Sequence, residues 1–163
     1  MSRQLAELET VLIQLIAEHE KLLRQLDTQQ AAMKKLDARA IEEAADQQET
    51  TRLRLAALET RRRAIVAQLA ISLRIAGPAT MVAIADAVPH ARGRLLELRN
   101  RLKAVMAQIA SRAHVVSRLA GAVLGHLNTM VRLLAGAVEQ AGLYTKHGVP
   151  QVSARIGVME AVG

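Results

Sequence analysis

The chain contains no cysteine. Disulfide scaffolds, thiolate metal sites and thiol nucleophiles are thereby excluded. Phe and Trp are also missing, and Tyr144 is the only aromatic residue. Globular cores draw much of their buried area from aromatic rings. These 163 residues are 51% apolar without them, so Leu, Ile, Val, Met and Ala must fill the interior. Such residues suit the narrow seam between helices. No glycine or proline precedes Gly77, so nothing punctuates the first half of the chain.

Long uncharged runs are scarce as well. Stretches such as Leu119 to Val131 fall short of the about 18 residues that a membrane span needs. Glu7 and Glu9 precede any apolar run, unlike a secretory signal. Both features predict a soluble protein with no membrane span, and the absence of cysteine fits the expected cytoplasmic location.

Catalytic constellations are not found. His19, His90, His114, His126 and His147 share no zinc-ligand spacing. The carboxylate pairs Glu42–Glu43 and Glu18/Glu20 read as solvated helix faces rather than acid–base dyads. There is no Gly-rich phosphate loop. The reading is a non-enzyme with no cofactor, no metal and no small-molecule substrate.

Charge is present but uneven. The formal net charge is +7. Residues 1–50 carry 6 Lys/Arg against 10 Asp/Glu, and residues 51–163 carry 16 against 5. The opposite halves can pair within one helical bundle. A free basic surface would instead attract an acidic protein, nucleic acid or an anionic membrane. The clusters Arg61-Arg62-Arg63 and Arg92 to Lys103 are candidates for that, but no aromatics are present to stack bases.

Apolar periodicity is the dominant signal. Leu5, Leu8, Leu12, Leu15, Leu22, Leu26, Met33 and Leu36 step by threes and fours, with His19 and Gln29 in the same series. This is the a/d repeat of a coiled coil. A second segment, from Asp37 to Ile75, opens weakly at Ile41, Ala45 and Gln48 and firms at Leu55, Leu58, Ile65, Leu69 and Leu73. Asp37 is a candidate cap, although an unbroken helix through Ala38–Ala44 fits equally. Gly77-Pro78 breaks the chain. Thr80 then caps a short piece from Met81 to Val88, which ends at Pro89-His90. A last helix runs from Ala91 to Gln140 through Leu95, Leu98, Leu102, Val105, Ile109, Val116, Leu119, Val123, Met130 and Leu133, with Arg112 and His126 interrupting. Gly142 is a natural stop.

The predicted fold is all-α: an elongated antiparallel helical hairpin or three-helix coiled-coil bundle over residues 1–143, with a flexible tail over 144–163. Gly121 and Gly125 have the spacing that lets two helix backbones approach closely, or they and Gly136 loosen the helix. Tyr144 is either a staple on the final turn or an exposed anchor for a partner.

In the order of its elements the chain resembles the FlgN family of flagellar export chaperones. The resemblance rests on the leucine heptad with glutamates at Leu8–Glu20, on Leu58-Glu-Thr-Arg-Arg-Arg-Ala-Ile65, on Arg94-Leu-Leu-Glu-Leu-Arg-Asn-Arg-Leu102, and on Tyr144-Thr-Lys-His-Gly148 just past the last helix. Where the family carries an Asn-x-x-Asn pair, this chain has Ala110 and Ala113. The resemblance implies a cytosolic chaperone that binds the C-terminal segments of the hook–filament junction proteins FlgK and FlgL. It would prevent their early assembly and deliver them to the export-gate protein FlhA, with Tyr144 docking at the gate. A client helix would lie on an apolar stripe, for which the candidates are Val123, Leu127, Met130, Val131, Leu134 and Val138. The alternatives are a self-associating structural coiled coil and a basic helical binder of nucleic acid or membrane surfaces, and a seam that can close between chains leaves room for a homo-oligomer.

Overall fold

The computed structural model describes the backbone of residues 2–140 and the side chains of residues 3–137. All of the regular structure among them is helical: α1 (Ser2–Lys35), α2 (Ala38–Ser72), α3 (Met81–Ala87) and α4 (Pro89–Gln140). The chain divides into two compact units, residues 1–120 and 121–163, and α4 contributes to both. The expected tail, 144–163, lies outside the described residues.

The boundary between α1 and α2 is sharp although no glycine marks it. Leu36 adopts φ 55°. Its N–H donates to the Met33 carbonyl, and the Asp37 N–H donates to Ala32, both at 3.1 Å. These two bonds close a Schellman motif around a left-handed residue. Asp37 then starts α2, its Oδ1 accepting from the Ala40 N–H at 3.1 Å. The same closure ends α2 three residues before the expected Ile75. Arg74 adopts φ 52°, with Arg74 N–H bonding Ile71 and Ile75 N–H bonding Ala70. Thr80 caps α3 as predicted, accepting from Ala83 N–H. Pro89 does not separate α3 from a helix starting at Ala91. It is the first residue of α4, where its fixed φ and missing N–H cost nothing.

Within residues 1–120, α1 and α2 run side by side in opposite senses. Glu7 pairs with Arg61 at 2.7 Å, and Glu18 with Arg54 at 3.9 Å. The first part of α4 lies against α1, through Glu20–Arg101 at 2.8 Å and Asp27–Arg112 at 3.1 Å. The acidic N-terminal segment and the basic segments after it therefore neutralise each other inside this unit.

The main core joins Leu5, Leu8, Leu12 and Leu15 of α1 to Ile65 and Leu69 of α2, Ile84 of α3, and Leu95 and Leu98 of α4. Each such side chain contributes about 1.5–3 kcal/mol by leaving water. Val11 and Ile16, which flank the a/d series, are buried too. A helix that buries more than its seam has neighbours on two sides. A smaller cluster groups Leu26, Met33 and Val116 with half-buried Ile41, Ile109 and Leu119. Along α1 and α2 the two clusters are separated by polar positions. Gln48 Nε2 donates to Gln29 Oε1 at 3.0 Å, and Gln25 and Thr51 are buried.

Candidate partner-binding face

Residues 121–137 of α4 carry a single formal charge, Arg132, and no carboxylate. At 3.6 residues per turn, Val123, Leu124, Leu127, Met130, Val131 and Leu134 fall within an arc of about 120°. His126, Asn128, Thr129 and Arg132 occupy the rest of the circumference. An arc this wide belongs to a helix that buries one face, yet these side chains are in solvent. Leu124 is 67% exposed, Val131 62% and Leu134 66%, and Leu127 and Met130 are about half exposed. Val123 is half-buried.

The predicted stripe is thus one face for the residues that are described. The side chain of Val138 and all of Tyr144 lie outside the described residues. Leu124 was not among the predicted residues, although it stands three before Leu127 and seven before Val131. The same spacing rule that selected Leu127 and Leu134 includes it. Leu133, off the arc, is 69% exposed.

Two expectations about this segment are corrected. A Cβ placed on Gly121 or Gly125 would meet nothing within 4 Å. The close helix approach suggested by their spacing is therefore absent among the described residues, and their effect is to lower helix propensity. The expectation that no stretch is apolar enough for a membrane also needs revision. Over an 18-residue window within Pro89–Ala137 the mean hydropathy reaches 1.2, so α4 is long and apolar enough to cross a bilayer by length and composition alone. The uncharged runs themselves are short, but Arg132 is the only charge in this part of the helix and lowers its mean hydropathy little. One such helix is weak evidence for a span, and Asn128 and Arg132 fall inside the apolar segment.

Among the described residues no group of His, Asp and Glu could hold a metal ion. Ala110 and Ala113 are both exposed on α4.

Neither a curated protein nor a solved structure matches the chain. The profile of the family described as FlgN protein matches residues 1–151, which spans all four helices and the apolar face. The chain belongs to the FlgN family, a family of flagellar export chaperones.

Proposed function

We propose that this protein is a cytoplasmic export chaperone for the hook–filament junction proteins FlgK and FlgL. In this reading α1, α2 and the first part of α4 form a three-helix coiled-coil bundle, and the C-terminal part of α4 receives the client. The single observation that carries it is the run of large apolar side chains from Leu124 to Leu134, each about half exposed or more. A monomeric soluble protein rarely leaves so contiguous an apolar face without a partner.

The client's C-terminal segment, amphipathic and partly disordered, would fold as a helix against Leu127, Met130, Val131 and Leu134. Its ordering entropy is lost on binding, so affinity stays moderate and release remains possible. Val138 extends the same stripe in sequence. Tyr144 would dock the loaded chaperone at FlhA, a large, rigid side chain suited to an anchor. Nothing in this cycle calls for a catalytic group or cofactor.

A second reading, binding to a membrane surface, is favoured by the hydropathy of α4. It requires that anionic vesicles compete with the client for the same face.

The deciding experiment is size-exclusion chromatography with light scattering. The purified protein is run alone, then with FlgK of the same organism, intact or lacking its C-terminal segment. A defined complex formed only with intact FlgK supports the proposal. A stable oligomer of the protein alone that ignores intact FlgK overturns it in favour of a self-associating structural coiled coil.

A further inference from the structure

A groove of about 500 Å³ opens between α1, α2 and the first part of α4. It shares no residue with the apolar face of residues 124–134, and the inference below does not depend on what that face binds. Leu12, Leu15, Leu55 and Leu102 line its floor. Met81, the first residue of α3, and Met106 of α4 also line it, Met106 half exposed. Unbranched methionines let an apolar floor adapt to an incoming side chain.

The rim carries cations in excess. On α2, Arg62 and Arg63 share one carboxylate, Glu59, at 2.6 and 3.1 Å. On α4, the Arg99 guanidinium bonds the Asn100 side-chain oxygen at 3.2 Å. Neither Arg99 nor Lys103 has a carboxylate within 4 Å among the described residues. Other guanidinium groups of residues 1–120 pair with a carboxylate of their own, as in Glu7–Arg61, Glu20–Arg101, Asp27–Arg112 and Asp86–Arg92, or, like Arg24 and Arg118, stand apart from this apolar groove. At the groove four cations face one anion.

Arg99 and Lys103 lie one helical turn apart, a spacing of about 6 Å. Carboxylates at positions i and i+4 of a facing helix have that same spacing. We infer that this groove is a docking site for an acidic amphipathic helix of a partner protein, its apolar residues on the leucine floor and its carboxylates on Arg99 and Lys103. A second copy of this chain fits less well: Glu7, Glu20 and Asp27 of its α1 are already paired, and Glu42 and Asp46 of its α2, though exposed and four residues apart, stand beside Ile41 and Ala44, which already pack within the chain. An anionic lipid would supply charge but not the repeated spacing.

The test uses the full chain and two fluorescein-labelled designed peptides. Both carry Leu at alternating third and fourth positions, one with Glu between them and one with Lys. Binding is read by fluorescence anisotropy against wild type, Arg99→Glu/Lys103→Glu, Met106→Glu, and Leu127→Asp/Leu134→Asp. Melting curves by circular dichroism establish that each variant is folded. The inference expects the Glu peptide to bind wild type at least about tenfold more tightly than the Lys peptide. It expects a loss of about tenfold or more in the charge-reversed variant, weaker binding to Met106→Glu, and no change in Leu127→Asp/Leu134→Asp. Equal binding of both peptides overturns it, as does binding that survives both groove variants or is lost in Leu127→Asp/Leu134→Asp. A wild-type dimer that the charge reversal dissociates would make a second copy the occupant. Binding to phosphatidylglycerol vesicles but to neither peptide would make the site a lipid surface. Either result overturns the inference.

Discussion

Arg62 grips Glu59 with two hydrogen bonds, Nη2 to Oε1 at 2.6 Å and Nε to Oε2 at 2.8 Å. The pair spans one helical turn of α2 and is half-buried. Such bidentate pairs are the strong members of their class. The bond from Arg62 holds the Glu59 carboxyl below its ordinary value, and Arg63 adds to the effect against an opposing desolvation. Arg62 is correspondingly held more firmly charged by Glu59.

A depressed carboxylate stabilises the fold wherever the unfolded chain would be ionised, above about pH 4.3. That contribution disappears as the pH falls through the depressed folded value. Glu59→Gln should therefore lower the melting temperature at neutral pH, and the gap to wild type should close in acid. Circular dichroism melts between neutral pH and strong acid check this. A gap that does not change with pH would mean that packing, not charge, holds the pair.

Leu36 sits in a conformation that costs a non-glycine residue about 1–2 kcal/mol, and at 59% exposure it recovers little by burial. Leu36→Gly should raise stability by about 1 kcal/mol despite glycine's greater freedom when unfolded. Urea denaturation of the two proteins measures it. Asp37→Ala should lose about 1 kcal/mol by removing the cap that starts α2.

The α1–α2 boundary shows where sequence reading reaches its limit. Asp37 was legible as a cap, but an unbroken helix fitted the pattern equally, because the left-handed residue is a leucine rather than a glycine. Leu36 even continued the a/d series, yet it is exposed. The rest of that series was readable: Leu5, Leu8, Leu12 and Leu15 are all buried. The core role of Ile84 and Ala85 was not, since α3 is too short to display a period. In α4 the same three-four rhythm continues past Leu119, but burial stops there. Periodicity identifies a face that can be buried and is silent on whether the chain itself supplies the cover. The groove cations were legible only as clusters. Which arginines find a carboxylate depends on helices that are distant in sequence.

Thr51 is fully buried, and its hydroxyl has no hydrogen-bond partner among the described residues. An unsatisfied buried hydroxyl costs about 1–3 kcal/mol. Thr51→Val keeps the branched shape and removes the polar atom, so it should raise stability by about 1 kcal/mol. Leu8→Ala, in the main core, should instead lose about 2–5 kcal/mol. Chemical denaturation of both variants gives the sign and the contrast.

Gly121, Gly125 and Gly136 each have open space where a Cβ would stand. Alanine at each should favour the helix by about 1 kcal/mol. Amide hydrogen exchange should show slower exchange across residues 121–137 in the triple variant, with residues 1–120 unchanged. If this segment is loose in order to fit a client, the triple variant should also bind FlgK with a changed affinity.

Leu127→Asp/Leu134→Asp separates client binding from folding, because both side chains are exposed and the main core does not include them. Melting should stay close to wild type, surface changes ordinarily costing less than about 0.5 kcal/mol. Affinity for FlgK should fall by about tenfold or more, since each aspartate places a charge on an apolar interface. Tyr144→Ala should do the reverse at a different step: client binding retained, and capture by the cytosolic domain of FlhA reduced. Titration calorimetry with FlgK and then with FlhA resolves the two steps. If Tyr144→Ala instead lost its cooperative melting transition, the tyrosine would be a structural staple and the gate-docking role would fall. If Leu127→Asp/Leu134→Asp bound FlgK as wild type does, the client would have to sit elsewhere on the molecule, and the apolar face of α4 would need another partner.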